Sequence, residues 1–358
     1  MQLLLTGGLG FIGSNLVRHL LNRYPGYTVI NLDAETYAGH HENLADFQNN
    51  PRYKFVKGEI QDAKLVDDIV SGRRFGRIHG IINLAAESHV DRSITNPAIF
   101  VETNVLGTQV LLEAAYRHGR AIAKQEGDAN GFAIKYLQVS TDEVYGSLGP
   151  TGLFTEETPL APNSPYSASK AASDMLCRAY FHTFNFPAMI TRCSNNYGPY
   201  QHPEKLIPLF ITNLFNNKQV PVYGDGLNVR DWLHVTDHCR AIDSVFHKGQ
   251  AGEVYNVGGN NERTNMQITK LIIKECGKDE SSIRYVEDRL GHDRRYAIDS
   301  SKIQAELGWT PLYTFEKGIQ ETIDWYKNNQ QWLATVAAPK EAAITTPPVA
   351  VPAVAPVA

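Results

Sequence analysis

The chain has 358 residues, 42% hydrophobic and 20% charged, a globular composition that excludes a wholly disordered polypeptide. Thirty-four basic against 38 acidic residues leave a net charge of −4, so no overall basic field exists to hold a nucleic-acid backbone. No apolar run reaches the roughly 18–20 residues that span a membrane. The opening MQLLLTGG lacks the basic start of a signal peptide, so neither export nor a membrane partner is expected and the location reads as cytoplasmic. Cys177, Cys193, Cys239 and Cys276 are irregularly spaced, which fits reduced thiols rather than a zinc site or a disulfide framework, and no metal is expected.

In chain order, the apolar run Gln2–Thr6 reads as a buried strand. Glycines follow, then Ile12, Leu16, Val17, Leu20 and Leu21 at helical spacing, then a second strand, Thr28–Leu32, ending in Asp33. Tyr53–Val56 is a third strand, Ala63–Val70 a helix, Ile78–Leu84 a strand, Ile99–His118 a long helix and Lys135–Ser140 a strand. Arg120–Gly131 is polar and reads as a surface excursion. Strands alternating with helices imply an α/β fold, a Rossmann-type doubly wound parallel sheet, over residues 1–190. After about residue 190 short strands (Val220–Tyr223, Val254–Val257) mix with a helix (Asn265–Glu275) and Gly/Asn/Pro loops, implying a smaller α/β substrate-binding lobe over 191–335. Residues 339–358 hold five prolines among Ala, Val and Thr and read as a disordered, polyproline-like tail.

The spacing Gly7-x-x-Gly10-x-x-Gly13 follows a strand and opens a helix. Glycine suits a tight turn whose backbone approaches a pyrophosphate, and the helix start at Phe11 and Ile12 offers amides to phosphates. Alone the pattern is weak; with Asp33 twenty residues on it marks a dinucleotide site. A carboxylate at Asp33 accepts from a ribose 2′-hydroxyl and repels a 2′-phosphate, and no Arg or Lys lies between Asn31 and Asn50, so NAD is favoured over NADP.

Tyr166-Ser-Ala-Ser-Lys170 puts Tyr and Lys on one helical face. The phenol is a poor base at neutral pH, and an adjacent ammonium is expected to lower its pKa. The strand before this helix ends in Ser140-Thr141, followed directly by Asp142 and Glu143. The combination resembles the extended short-chain dehydrogenase/reductase family, which implies that Thr141 hydrogen-bonds the sugar hydroxyl being oxidised while Tyr166 takes its proton. Two adjacent carboxyls at a strand end can be driven apart in pKa, giving one acid and one base, although they can also cap a turn or pair with an internal Arg. Acid, base and nicotinamide together suit a dehydration: C4 of a hexose is oxidised, the acidified C5 proton is removed, the 6-hydroxyl leaves as water, and hydride returns to C6.

The string Thr141–Gly146 (TDEVYG) resembles that of the dTDP-glucose 4,6-dehydratase family. So do Leu84–Ser93 (LAAESHVDRS), Asn195–Pro199 (NNYGP), Pro203–Pro208 (PEKLIP), Arg230–His234 (RDWLH) and Arg289–Asp299 (RLGHDRRYAID), over residues 1 to about 330. The resemblance implies Glu143 as C5 base and Asp142 as acid for the 6-hydroxyl, roles the residues alone do not apportion. It implies cofactor contacts from Gly7, Gly10, Phe11, Ile12, Gly13, Asp33, Thr36, Glu59, Ile60, Leu84, Ala86, Thr103 and Asn196, with Tyr166 and Lys170. For the nucleotide sugar it implies Ser88, Thr141, Asn195, Glu204, Lys205, Pro221, Tyr223, Arg230, Asn265, Arg289, His292 and Tyr296, with Arg230 and Arg289 suited to phosphate oxygens. It also implies a homodimer built through a four-helix contact of the helices near Thr103–His118 and Ser167–Phe184.

Bland readings stand beside these. Arg294 and Arg295 are expected to be solvated or paired with acids, His89 and His234 to be structural, and Asp91 and Arg92 to pair locally. Two departures matter: Gly58-Glu59 replaces the family's Gly-Asp, and Glu35 stands where an apolar residue is usual. Rival functions are a UDP-sugar 4,6-dehydratase, a nucleotide-sugar 4-epimerase, which does not need Asp142 and Glu143, and a non-catalytic dinucleotide-sensing or scaffold protein.

Overall fold

The computed structural model describes residues 1–288 and 292–337, so Arg289 and the expected tail lie outside the described residues. The strands are β1 (Gln2–Thr6), β2 (Thr28–Asp33), β3 (Tyr53–Lys57), β4 (Gly80–Asn83), β5 (Lys135–Thr141), β6 (Ala188–Cys193), β7 (Asn195–Tyr197), β8 (Val220–Tyr223), β9 (Val229–His234), β10 (Val254–Val257), β11 (Glu262–Thr264) and β12 (Ile283–Val286). The helices are α1 (Phe11–Arg23), α2 (Ala63–Val70), α3 (Val90–Thr95), α4 (Pro97–Phe100), α5 (Gly107–Gln125), α6 (Pro165–Phe184), α7 (Leu206–Phe215), α8 (Val235–Lys248), α9 (Asn265–Glu275), α10 (Ser301–Leu307), α11 (Phe315–Asn328) and α12 (Gln330–Ala337).

Seven strands form one parallel sheet in the order β3-β2-β1-β4-β5-β6-β10. The order reverses between β1 and β4, and a doubly wound sheet opens its ligand crevice at the carboxyl ends beside such a point. Alternation along β1 explains the layers: Leu3 and Leu5 join the core under α1 and α8, and Leu4 joins the core under α2, α5 and α6. A second core gathers α7, α9 and α11 over β8 and β9, with β7, β9 and β11 forming a mixed sheet and β12 pairing with β8.

Three features depart from the sequence expectation. Val254–Val257, expected in the second lobe, is the edge strand of the main sheet beside β6. Its side chains divide between the two faces: Tyr255 and Val257 join the core under α8 and α10, and Val254 packs against the core that holds α6. Helix α5 runs on to Gln125, into the expected polar excursion, because Ala123 keeps the buried face while Lys124 and Gln125 face out. The long helix also starts earlier, at Pro97, and passes through one wider, i→i+5 turn at Val101–Leu106.

Candidate active site

The turn from β1 to α1 is built by close approach. Gly7 has φ +72, and a Cβ there would lie 2.8 Å from the Ala85 nitrogen; a Cβ on Gly13 would lie 2.1 Å from the Gly7 oxygen. Gly10 caps α1 without a side-chain hydrogen bond, so the first-turn amides, Phe11 and Ile12 among them, keep the helix's positive end available to an anion. Asp33 is buried at the end of β2, its Oδ2 accepting from Leu9 N–H (2.9 Å) and its Oδ1 from Glu35 N–H (2.8 Å). A carboxylate here is the right chemistry to accept from a ribose hydroxyl. Thr36 closes the same loop, its carbonyl accepting from Gly39 N–H (3.2 Å).

Beyond β3, Glu59 is exposed and accepts from Gln61 Nε2 (2.9 Å), while Ile60 is buried against Gly107. Leu84 and Ala86 follow β4, half-buried, and Thr103 lies in the wide turn before α5. Asn196 lies on β7, its Nδ2 donating to the Ser194 carbonyl (2.9 Å) and its Oδ1 facing His238 Nδ1 (2.9 Å). Glycine cradle, uncapped amides and buried acid fit the two phosphates and the adenosine ribose of a dinucleotide.

The catalytic candidates meet where β5 ends. Thr141 caps a single turn, Asp142–Tyr145: its Oγ1 accepts from Glu143 N–H (3.3 Å) and donates to Asp142 Oδ1 (3.2 Å). Asp142 is 2% exposed, and its Oδ2 has no hydrogen-bond partner among the described residues. Burial first, and the neighbouring Glu143 second, push its carboxyl well above the usual range, while Arg230 opposes. The neutral form of Asp142 is therefore favoured. Tyr166 and Lys170 share the inner face of α6, which a reciprocal Ser164–Ser167 capping box starts at Pro165. Lys170 Nζ donates to the Val139 carbonyl (2.8 Å), and its burial lowers its pKa.

Against expectation, the Tyr166 pKa is raised. Burial first, and the charge of Glu143 second, outweigh the lowering hydrogen bond from Thr141. The Lys170 ammonium is directed at the Val139 carbonyl, and two acidic residues lie beside the phenol.

The second lobe reaches this turn through β9 and the segment before α10. Arg230, 5% exposed, donates to the carbonyls of Val229 (2.7 Å) and Asp293 (2.9 Å) and lies over the Tyr296 ring at 4.4 Å. Tyr296 donates to Asp293 Oδ2 (2.5 Å) and feels the charge of Glu143, so Thr141, Asp142, Glu143, Tyr166, Arg230 and Tyr296 form one cluster. On β7, at the start of α9 and just before α7, Asn195 Oδ1, Asn265 Oδ1 and Glu204 Oε1 are buried with no hydrogen-bond partner among the described residues. Unsatisfied acceptors of this kind suit a polyhydroxylated ligand. Lys205 donates to the Ser88 carbonyl (3.4 Å), tying two candidate loops together. Farther out, Pro221 and Tyr223 lie on β8, and the His292 ring stands edge-on to Tyr223 at 6.4 Å, bonded to Asp288 Oδ1 (2.6 Å).

Arg294 pairs with Asp225 (2.9 Å) and Arg295 with Glu262 (2.7 Å), as expected for paired cations. His234 caps α8, accepting from Thr236 N–H (3.3 Å), and stacks on Tyr313 at 3.9 Å; burial takes its pKa down to about 4, a structural role. His89 stands 3.6 Å from Glu204 Oε2. Arg92 spans loops: it lies over the Tyr37 ring at 3.6 Å and reaches Glu204 at 3.8 Å.

Other supporting residues gave no signal in sequence. Asp231, next to Arg230, accepts from Gly259 N–H (2.8 Å) and Asn261 N–H (2.6 Å) and adds charge near Asp142. The buried Arg192–Asp174 pair (2.9 Å) donates on to Tyr145 OH (3.0 Å), bracing the catalytic turn. Thr6, Asn83 and Gln138 link the strand ends behind the glycine loop (2.6 and 2.9 Å). All are long-range pairings, invisible to local spacing.

Residues 4–322 match the family model described as GDP-mannose 4,6 dehydratase. The chain is 54% identical over 342 residues to a dTDP-glucose 4,6-dehydratase of Xanthomonas campestris pv. campestris, covering 93% of this chain and 95% of that one. It is 50% identical over 352 residues to the Escherichia coli protein of that name, covering 93% and 95%. Among solved structures, DesIV, the dTDP-glucose 4,6-dehydratase of Streptomyces venezuelae with NAD and TYD bound, superposes with a TM-score of 0.86 at 49% identity, covering 94% of this chain and all of that one. A UDP-glucose 4-epimerase from Thermotoga maritima shares the scaffold at TM-score 0.81 and 30% identity, covering 92% and 100%. With about half its residues identical to these relatives over nearly their full length, the chain belongs to the dTDP-glucose 4,6-dehydratase family.

Proposed function

We propose that this protein converts dTDP-glucose to dTDP-4-keto-6-deoxyglucose, with NAD as its resident cofactor. The observation that carries the proposal is the turn Asp142–Tyr145. A sealed carboxyl, whose burial favours its neutral form, adjoins a second, half-buried carboxyl, both acting on Tyr166, with Arg230 beside the first. A 4-epimerase has no use for that pair. Bound NAD supplies the reversible oxidation at C4 and the matching reduction at C6. Thr141 orients the 4-hydroxyl and Tyr166 takes its proton. Glu143 removes the C5 proton that the ketone has acidified, and Asp142 delivers a proton to the 6-hydroxyl so that water leaves. Lys170, one turn beyond Tyr166 on the same face of α6 and with its ammonium donating to the Val139 carbonyl, holds the cofactor ribose. Arg230 takes diphosphate oxygens; Asn195, Glu204, Lys205 and Asn265 take sugar and phosphate groups; Pro221, Tyr223 and His292 lie toward the base.

The exposed apolar side chains Ile94 on α3, Val101 and Leu106 in the segment before α5, and Met175 and Phe184 on α6 support a homodimer through a helical contact of this face. Among the described residues no helix is long and apolar enough to cross a membrane. Free thiols and a nucleotide-sugar substrate favour the cytoplasm.

The test is NMR of the products from dTDP-glucose and UDP-glucose run in parallel. A 4-keto-6-deoxy product from the thymidine nucleotide, with label from C4 recovered at C6, is the expected result. Formation of dTDP-galactose instead would overturn the proposal.

A further inference from the structure

We propose that Glu35 sets the choice of NAD over NADP by engaging two basic side chains, Lys57 and His41, that would otherwise receive a 2′-phosphate. The inference rests on the dinucleotide reading above. Sequence spacing puts no Arg or Lys between Asn31 and Asn50, but sheet pairing brings a lysine in from elsewhere. Lys57 ends β3 and is the register partner of Asp33 on β2, so it stands at the same level of the sheet as the acid that faces the ribose.

Glu35 follows two residues after Asp33 in a left-handed conformation (φ +55), and its amide donates to Asp33 Oδ1 (2.8 Å). Its carboxylate lies between the two basic groups: Oε2 is 2.7 Å from Lys57 Nζ and Oε1 is 2.5 Å from His41 Nε2. The His41 ring is fixed in turn by edge contact with Phe55 at 4.7 Å. Glu35 is 18% exposed and Lys57 70%, so the acid is the anchored partner and the lysine the mobile one. Burial works against ionising Glu35, yet Lys57 and His41 outweigh it and keep the carboxylate charged.

The charge count decides the outcome. With Glu35 present, two carboxylates, Asp33 and Glu35, stand against Lys57 and His41, so no positive charge is left over for a 2′-phosphate. A hydroxyl donor is welcome there and a phosphate is not. Removing the Glu35 charge leaves Lys57 and His41 free to turn toward a 2′-phosphate, with Asp33 alone opposing.

The test reads binding, not turnover. NADH and NADPH are titrated against the full-length protein, freed of bound nucleotide, by fluorescence, for wild type, Glu35→Gln and the double variant Glu35→Gln/Lys57→Met. Glu35→Asn serves as a second single variant, since Asn tolerates a positive φ. The expected result is a fall of about tenfold in the ratio Kd(NADPH)/Kd(NADH) in both single variants. That gain should shrink at high salt and return to the wild-type ratio in the double variant. An unchanged ratio in the single variants, with NADH still bound, would overturn the inference. A gain that survives removal of Lys57 would overturn it too, because simple loss of repulsion would then suffice. Failure of the wild type to bind NADH would instead overturn the cofactor reading beneath it.

Discussion

Asp142 and Glu143 are chemically similar residues next to each other, yet their surroundings differ. Asp142 is turned inward, sealed from water and beside another carboxylate, so its neutral form is favoured. Glu143 is only half-buried and faces Tyr166 and Tyr296, on whose hydroxyls its charge acts. That division suits one acid and one base, and it makes a sharp prediction. Glu143→Gln keeps the shape of the side chain but cannot accept the C5 proton. Its turnover should fall by about 10²–10⁴-fold, with solvent-deuterium incorporation at C5 lost and thermal midpoint little changed. Wild-type rates of C5 exchange in the variant would remove Glu143 from the proposed role. At this scale the sequence was informative because Thr141, Asp142 and Glu143 are consecutive and Tyr166 and Lys170 are four apart; local spacing carries the chemistry. The direction of the Tyr166 shift was not legible, because it depends on what packs over the phenol rather than on the neighbour at i+4.

Helix α6 is the element that presents Tyr166, and its start is defined by few groups. Ser164 Oγ accepts from Ser167 N–H (3.1 Å), Ser167 Oγ accepts from Ser164 N–H (3.0 Å), and Pro165 takes the first helical position. Tyr166 comes immediately after, so fraying here displaces the phenol proposed to take the 4-hydroxyl proton. Ser164→Ala should cost about 1 kcal/mol in urea unfolding and lower kcat more than it raises KM. Ser164→Asp, which restores a capping acceptor, should recover most of both. An alanine variant with unchanged urea midpoint would show that the cap contributes nothing. The element types were largely readable from periodicity, as α9 at Asn265–Glu275 shows. The far end of α5 and the place of β10 were not. A polar helical terminus resembles a loop in composition, and a four-residue apolar strand does not say which sheet it joins.

At the scale of the molecule, the sheet is held between two helical layers, and one polar cluster joins the helices of one layer. Asp243 of α8 receives His19 of α1 (2.8 Å), His247 of α8 (2.8 Å) and Tyr24 OH (3.0 Å), with Arg23 at 3.3 Å. Burial would raise the Asp243 pKa, but the histidine hydrogen bonds outweigh it and hold the carboxyl below its usual range. For His247, burial lowers the pKa, yet bonding to Asp243 leaves it raised. The signs follow from linkage. The depressed Asp243 pKa contributes stability above the ordinary carboxylate value of about 4, lost as pH falls through the native value. The raised His247 pKa contributes stability below the ordinary imidazole value of about 6.5, lost as pH rises through the native value. The cluster therefore stabilises most between about pH 4 and 6.5. Asp243→Asn should lower the melting temperature most near pH 5.5 and less at pH 8; an equal loss at both would contradict the coupling.

Read alone, the chain gave away the parallel α/β scaffold and the spacing of the glycine turn and of the candidate catalytic residues. Each of these is written in contacts between residues a few positions apart: strand period, helix period, glycine spacing, consecutive acids. Tertiary structure alone decided that Arg230 and Tyr296 close over the acids, that Arg192 and Asp174 brace the turn, and that Lys57 stands beside Asp33. Those pairings join residues far apart in the chain, and their strength comes from burial and geometry that exist only once the sheet and the second lobe have formed.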